Sequence, residues 1–226
     1  MSNEPNQPRV CLDVILPSEG FELATTNMWS NGKRLRVHFL GGNSFLHNKV
    51  KQYARKWEPH CSIAFDFVND PTAEIRVAFK MDGTSWSAVG TDALNNEWFP
   101  AGSATMNYGW LTEHSDEQEF SRVIVHEFGH ALGCIHEHQN PAGGIPWNKD
   151  AVYRYYADRG WDKARVDQNI FRKYQLDQSQ FSAFDKNSIM LYPIAKELTD
   201  GKLEVGWNRE LSKMDKEFIG KTYPKN

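Results

Sequence analysis

Five residues within one short stretch carry the chemistry of this chain. His126, Glu127, His130, Gly133 and His136 stand in the spacing H-E-x-x-H-x-x-G-x-x-H. His126 and His130 are four positions apart, so on a helix they share a face and aim two imidazoles at one point. His136 reaches that point only if the chain turns back. Gly133 supplies the turn, because glycine enters left-handed backbone conformations at little steric cost and commonly ends helices. Three neutral imidazoles hold one Zn²⁺ and leave a position for water, the arrangement of catalytic rather than structural zinc. Glu127, next to the first ligand, is placed to act as the base toward that water. At average composition these five positions coincide by chance about once in 10⁵ chains of this size. Helix histidines without a metal are therefore a poor account of the pattern.

The elements that must position these residues are readable from periodicity. Val123, Ile124, Phe128 and Leu132 supply the apolar positions of a helix that runs to about Gly133. Its start is Ser115-Asp116-Glu117-Gln118, in the form of a capping pair. Upstream, residues 34–40 alternate, with Leu35, Val37 and Phe39 on one face of a strand. Residues 47–57 place Val50, Ala54 and Trp57 at helical spacing, and Pro59 stops that helix. Ile63, Phe65 and Phe67 alternate as a second strand, and Ile75, Val77 and Phe79 as a third. Between Met81 and Trp110 only residues 104–108 read as a short strand, either the edge along which a peptide would lie or an ordinary interior strand. The aromatics Trp86, Trp98, Tyr108 and Trp110 either line subsites there or fill the core. Downstream, residues 141–146 form a loop. Asn148 caps a helix to about Asp158, the stretch 161–184 is polar and only partly periodic, and Ser212 starts a last helix with Met214, Phe218 and Ile219 inward. The expected fold is α+β: a mixed twisted sheet and the active-site helix in the N-terminal half, then an irregular C-terminal half with a terminal helix.

Composition sets the bounds. The 226 residues are 40% hydrophobic and 24% charged, with a net charge of -3. This is a globular composition with no electrostatic case for nucleic acid or an anionic membrane. No apolar run approaches the roughly 20 residues of a membrane helix. The three cysteines, Cys11, Cys61 and Cys134, are too few and too odd for a disulfide framework and read as free thiols. Residues 1–29 read as a polar, proline-bearing arm, disordered or concerned with latency, with no secretory signal. The expected location is the cytoplasm, or outside by a leaderless route. A single catalytic domain is expected over 30–226, with an upper part at 30–133, a lower part at 134–226 and the zinc cleft between them.

The zinc motif resembles the signature of the metzincin metallopeptidases. That clan also carries a methionine in a tight turn beneath the metal, and Ser188-Ile189-Met190-Leu191-Tyr192 is similar to it. Within the clan the chain looks astacin-like. Glu137 follows the third histidine, Tyr192 stands two residues after Met190, Ser85-Trp86-Ser87-Ala88-Val89-Gly90 resembles an astacin segment, and Leu211-Ser212-Lys213-Met214-Asp215 is similar to the last helix of bacterial and fungal members. The resemblance covers about 30–224. It departs from secreted astacins in its cysteines and in Glu137-His138-Gln139-Asn140-Pro141 after the third ligand.

The resemblance implies a zinc endopeptidase of protein or peptide substrates, monomeric, with a metzincin fold and one catalytic Zn²⁺. His126, His130 and His136 are the ligands, Glu127 the general base, and Met190 a structural residue of the turn. Tyr192 ligates zinc at rest and then donates to the oxyanion; the competing reading is a core tyrosine. In astacins the acid after the third histidine pairs with a freed N-terminus. Here Glu137 stays open between a supporting or salt-bridge role beside the site and a solvated loop charge. His138 is the weaker candidate for a metal role. Some metzincins are kept latent by a cysteine thiolate, and Cys11 or Asp13 is placed for such a part. Two other readings stand beside the endopeptidase: a zinc-binding pseudoenzyme or peptide-binding module, and a latent effector protease that needs activation.

Overall fold

A six-stranded mixed sheet is the scaffold, with alternating apolar residues in the strands that precede and follow the first helix. The computed structural model describes the backbone of residues 10–14 together with residues 27–173 and 183–225. The strands are β1 (Val10–Val14), β2 (Arg34–Phe39), β3 (Ala64–Phe67), β4 (Ile75–Ala78), β5 (Thr84–Ala88) and β6 (Met106–Asn107). Their order across the sheet is β1-β5-β6-β4-β2-β3. β2 pairs in parallel with β3 and β4, and β4 with β6, while β5 runs antiparallel to β6. In β2 the expected alternation holds: Leu35 and Val37 are fully buried, and Arg34 and Arg36 reach outward to Asp66 and Glu74.

Helix α1 (Ser44–Ala54) starts at its cap Asn43, whose side chain accepts from the Leu46 N–H, three residues earlier than the apolar spacing suggests. Trp57 lies beyond the helix end yet is buried, and its indole donates to the Val125 carbonyl at 2.9 Å. Helix α2 (Glu117–Ala131) carries the motif, and α1 packs against it. Its cap is Asp116 rather than Ser115, which instead accepts from the Thr112 N–H. Helices α3 (Lys149–Ala157) and α5 (Lys213–Thr222) begin at the expected caps Asn148 and Ser212. The polar stretch after Trp161 folds as a short helix α4 (Lys163–Val166) followed by a π-helical turn, Asp167–Phe171. In α5 the buried residues are Asp215 and Ile219, whereas Met214 and Phe218 are only half-buried.

Three expectations need correction. The strand at 104–108 is not an edge, because β6 lies inside the sheet between β5 and β4. The strand β5 was not expected at all. The N-terminal 29 residues are not wholly an unstructured arm: β1 pairs in parallel with β5, Val10 opposite Thr84 and Val14 opposite Ala88. Asn27 and Trp29 are buried as well.

Two apolar cores meet along one seam. The larger is formed by the sheet, α1, α2, Met190, Ile219 and Tyr223. The smaller gathers Val152, Trp161, Val166, Ile170, Leu191, Ile194, Leu198 and Val205. Met190 belongs to the first, Leu191 to the second, and Tyr192 packs on both. No described helix is long and apolar enough to cross a membrane.

Candidate active site

The end of α2 shows how the motif closes on itself. The last carbonyls of a helix lack intrahelical partners. Here the Gly133 N–H donates to the His130 carbonyl (2.7 Å) and the Cys134 N–H to the Gly129 carbonyl (3.0 Å), the double bond of a Schellman turn. Gly133 has φ of 97°, as that turn requires. The next two carbonyls are satisfied from a distance. The Trp29 indole donates to Ala131 at 2.7 Å and the Tyr223 hydroxyl to Leu132 at 2.8 Å. The chain leaves this well-satisfied terminus already turned, and His136 comes back to face His126 and His130.

The three rings converge. Nε2 of His126 lies 3.1 Å from Nε2 of His136 and 3.2 Å from that of His130, and the third separation is 3.2 Å. All three residues are buried, and they are the one group of this kind among the described residues able to hold a metal. The fit to zinc can be tested on two observations. Nitrogens about 2.0–2.1 Å from a tetrahedral Zn²⁺ stand about 3.3 Å apart, close to what is seen. Moreover, His126 donates through Nδ1 to the Ile189 carbonyl and His130 to the Cys134 carbonyl, both at 2.8 Å. Carbonyls only accept, so in the neutral rings the protons sit on Nδ1 and the Nε2 lone pairs point at one another. A cation among them turns that repulsion into coordination.

Glu127 is fully buried on α2, next to His126. The ring of Tyr192 stands 4.2 Å from that of His136 and 6.2 Å from that of His126, so the tyrosine flanks the triad. His138 is buried and is not part of the triad. Its ring stacks 4.9 Å from Tyr192, and its Nε2 bonds the Asn169 carbonyl in the π-helical turn at 2.7 Å. Met190 lies beneath the helix: a Cβ placed on Gly129 would fall 2.4 Å from its Sδ. Gly129, which a helix interior disfavours, is therefore explained by the methionine turn packed on it.

Glu137 is not a solvated loop charge. One of its carboxylate oxygens accepts from the Asn140 amide (3.0 Å) and from the Asp185 N–H (2.9 Å), while its own N–H donates to the Met190 carbonyl (3.0 Å). Burial pushes its carboxyl up to about 7, against the pull of those two bonds. Asp215 was expected only to help start the last helix. It is buried, and its carboxylate accepts from the Ser188 hydroxyl and from the N–H groups of Ile189 and Ser212. The capping sequence signalled its place in α5 but not its contact with the methionine turn.

Of the aromatics considered for subsites, Tyr108 and Trp110 are core residues, Trp86 packs on the small cluster of Ala88, Ala93 and Phe99, and Trp98 is exposed. Cys61 and Cys134 are buried free thiols, and burial pushes both up. The backbone of Cys11 and Asp13 lies in β1; their side chains fall outside the described residues.

Comparison with known proteins agrees with this fold. The Matrixin family model matches residues 42–152. A solved structure of myroilysin is 45% identical, covering 90% of this chain and 98% of that one, with a TM-score of 0.86. A crystal structure of myroilysin is 42% identical over 96% of this chain and 92% of its own, with a TM-score of 0.72. High choriolytic enzyme 1, a hatching enzyme zinc-protease from Oryzias latipes (medaka fish), shares the fold at 15% identity, with a TM-score of 0.58 over 89% of this chain and 96% of its own. No curated protein sequence matches the chain.

Proposed function

Because this chain belongs to the metzincin zinc metalloproteases, we propose that it cuts internal peptide bonds as an astacin-like member, with Glu127 as general base and Tyr192 as oxyanion donor. The convergence of His126, His130 and His136 at 3.1–3.2 Å carries this reading. These three residues would hold the zinc of the family. When bound, zinc supplies Lewis-acid polarisation of the scissile carbonyl and acidifies water toward neutral pH.

The chain's own residues do the rest. Glu127 takes a proton from the attacking water and returns it to the departing amine nitrogen. Full burial suits this role, because a proton held on the carboxyl is kept from bulk water. Tyr192 donates its hydroxyl to the oxygen on which charge develops. Met190 fills the floor beneath the triad and stays a packing residue, since a soft thioether is a poor addition to three imidazoles. The substrates are proteins or peptides, and the monomer is the form proposed to act. The test is Glu127→Gln. It should bind one zinc and lose turnover; retained turnover removes Glu127 from the mechanism, and a wild type that binds zinc without cutting peptides supports the pseudoenzyme or peptide-binding reading.

One observation favours a latent enzyme. A peptide substrate joins a sheet edge as an added strand. β1 already lies along the outer side of β5. In this second reading residues 10–14 block that edge until the arm is cut or displaced. Removal of residues 1–14 should then raise kcat/KM on a peptide at least tenfold, in the same assay in which the intact chain is slow. Equal rates for the two forms would discard it.

A further inference from the structure

The ring of His126 is held from far along the chain. His130 donates to Cys134 within its own motif, but His126 Nδ1 donates to the carbonyl of Ile189, 2.8 Å away. The peptide unit that carries this carbonyl also carries the N–H of Met190. That N–H donates to Ser188 Oγ at 3.0 Å. The Ser188 hydroxyl in turn donates to Oδ1 of Asp215 at 2.7 Å. Each middle group accepts on one side and donates on the other. An unbroken line of hydrogen bonds thus runs from imidazole to peptide to hydroxyl to carboxylate. The second oxygen of Asp215 takes the N–H groups of Ile189 (2.9 Å) and Ser212 (2.8 Å), which fixes the carboxylate at the end of the line. His126, Ser188, Ile189 and Asp215 are all buried.

We infer that Asp215 is a positioning residue of the reaction, the remote carboxylate that orients and polarises His126 through Ser188 and the 189–190 peptide. This inference rests on the zinc reading of the triad. Metal-binding histidines commonly donate their second N–H to a carboxylate or a carbonyl, which fixes the tautomer and raises the basicity of the ligand. Here the carbonyl and the carboxylate act in series. In a buried, low-dielectric setting such bonds polarise one another. The line also explains why a polar serine is buried in the methionine turn at the seam between the two cores, and why the last helix presents an acidic residue inward.

A purely structural role is the competing account, because Asp215 also closes the capping box of α5 with Ser212. The two roles separate at two serines. Ser188 is a link in the line and takes no part in the cap. Ser212 makes the cap and is not a link. The experiment compares Ser188→Ala, Ser188→Thr, Asp215→Asn and Ser212→Ala with the wild type. Zinc release into a chelating dye and the visible d–d bands of the cobalt-substituted proteins are the readouts, and circular dichroism checks folding. Ser188→Ala and Asp215→Asn should release zinc about tenfold faster, at the low end for a lost outer partner, with shifted cobalt bands. Ser188→Thr keeps a hydroxyl and should restore both. Ser212→Ala should lower Tm while keeping wild-type release and bands. Wild-type release from a folded Ser188→Ala overturns the inference. So does faster release in Ser212→Ala that matches Ser188→Ala. A wild type that binds no zinc at the triad fails earlier and removes the zinc reading itself.

Discussion

Replacing Gly129 by alanine tests whether the methionine turn is packed against the metal helix as closely as described. Gly129 sits inside α2 between His126 and His130. A Cβ there would stand 2.4 Å from Met190 Sδ, 3.2 Å from its Cε and 3.1 Å from Trp57 Cζ2. Trp57 cannot yield easily, since it is buried and its indole is bonded to the Val125 carbonyl. The displacement falls on Met190. Its side chain is flexible, but its backbone is held at both ends by Ser188 Oγ and the Glu137 N–H. Overpacking of this kind costs about 1–3 kcal/mol. Alanine returns about 1 kcal/mol of helix propensity over glycine. The net expectation is a loss of up to about 2 kcal/mol. In a Met190→Ala background the methionine clash is gone and only the 3.1 Å approach to Trp57 Cζ2 remains, so the same substitution should stabilise by up to about 1 kcal/mol. The coupling between the two sites is then about 1–3 kcal/mol. Urea denaturation followed by tryptophan fluorescence, in excess chelator so that metal binding does not enter, gives all four corners of the cycle. If the two substitutions add to within about 0.5 kcal/mol, the methionine does not rest on Gly129 and the account of the turn is wrong.

Two further outcomes are expected. Burial raises the Asp92 carboxyl to about 6, while its Oδ2 accepts from the Asn27 amide at 3.0 Å. The folded state then binds the proton more tightly than the unfolded state, so this group's contribution is neutral below about pH 4, becomes unfavourable as pH rises toward 6, and stays so above. Asp92→Asn should leave stability unchanged at pH 4 and raise it by about 1–2 kcal/mol at pH 7.5, after discounting for partial exposure; a variant no more stable at pH 7.5 refutes this. Tyr192→Phe should keep full zinc content and lose about 10²–10³ in kcat, the effect of one oxyanion donor. Undiminished kcat would remove the tyrosine from the reaction.

Much of the site was legible because its geometry is local. His126, His130, Gly133 and His136 are fixed by one helix and one turn, and each spacing has a steric reason. The caps Asn148 and Ser212 were legible on the same grounds. What escaped is tertiary. In β5 the buried positions are Ser85, Ser87 and Ala88, while Trp86 is only half-buried, so the apolar alternation of an ordinary strand is absent. Those serines are tolerated inside because one accepts from the Gly109 N–H and the other donates to the Ala88 carbonyl. In β1, Val10, Leu12 and Val14 do alternate, but a polar proline-bearing flank masked them. The short β6 looked like an edge because nothing in its residues announces that β5 covers its other side. Asp215 and His126 are joined through peptide 189–190, and a contact through the main chain leaves no mark on residue type.

The central claim is that this chain hydrolyses peptide bonds at a zinc held by His126, His130 and His136. The most direct test is an unbiased peptide library read by mass spectrometry after incubation with the zinc-loaded protein freed of residues 1–14, with chelated and Glu127→Gln samples alongside. Cleavage at internal bonds in the first sample, lost in both others, is the predicted result. Cleavage that survives chelation or the loss of Glu127, or intact peptides in all three samples, would contradict it.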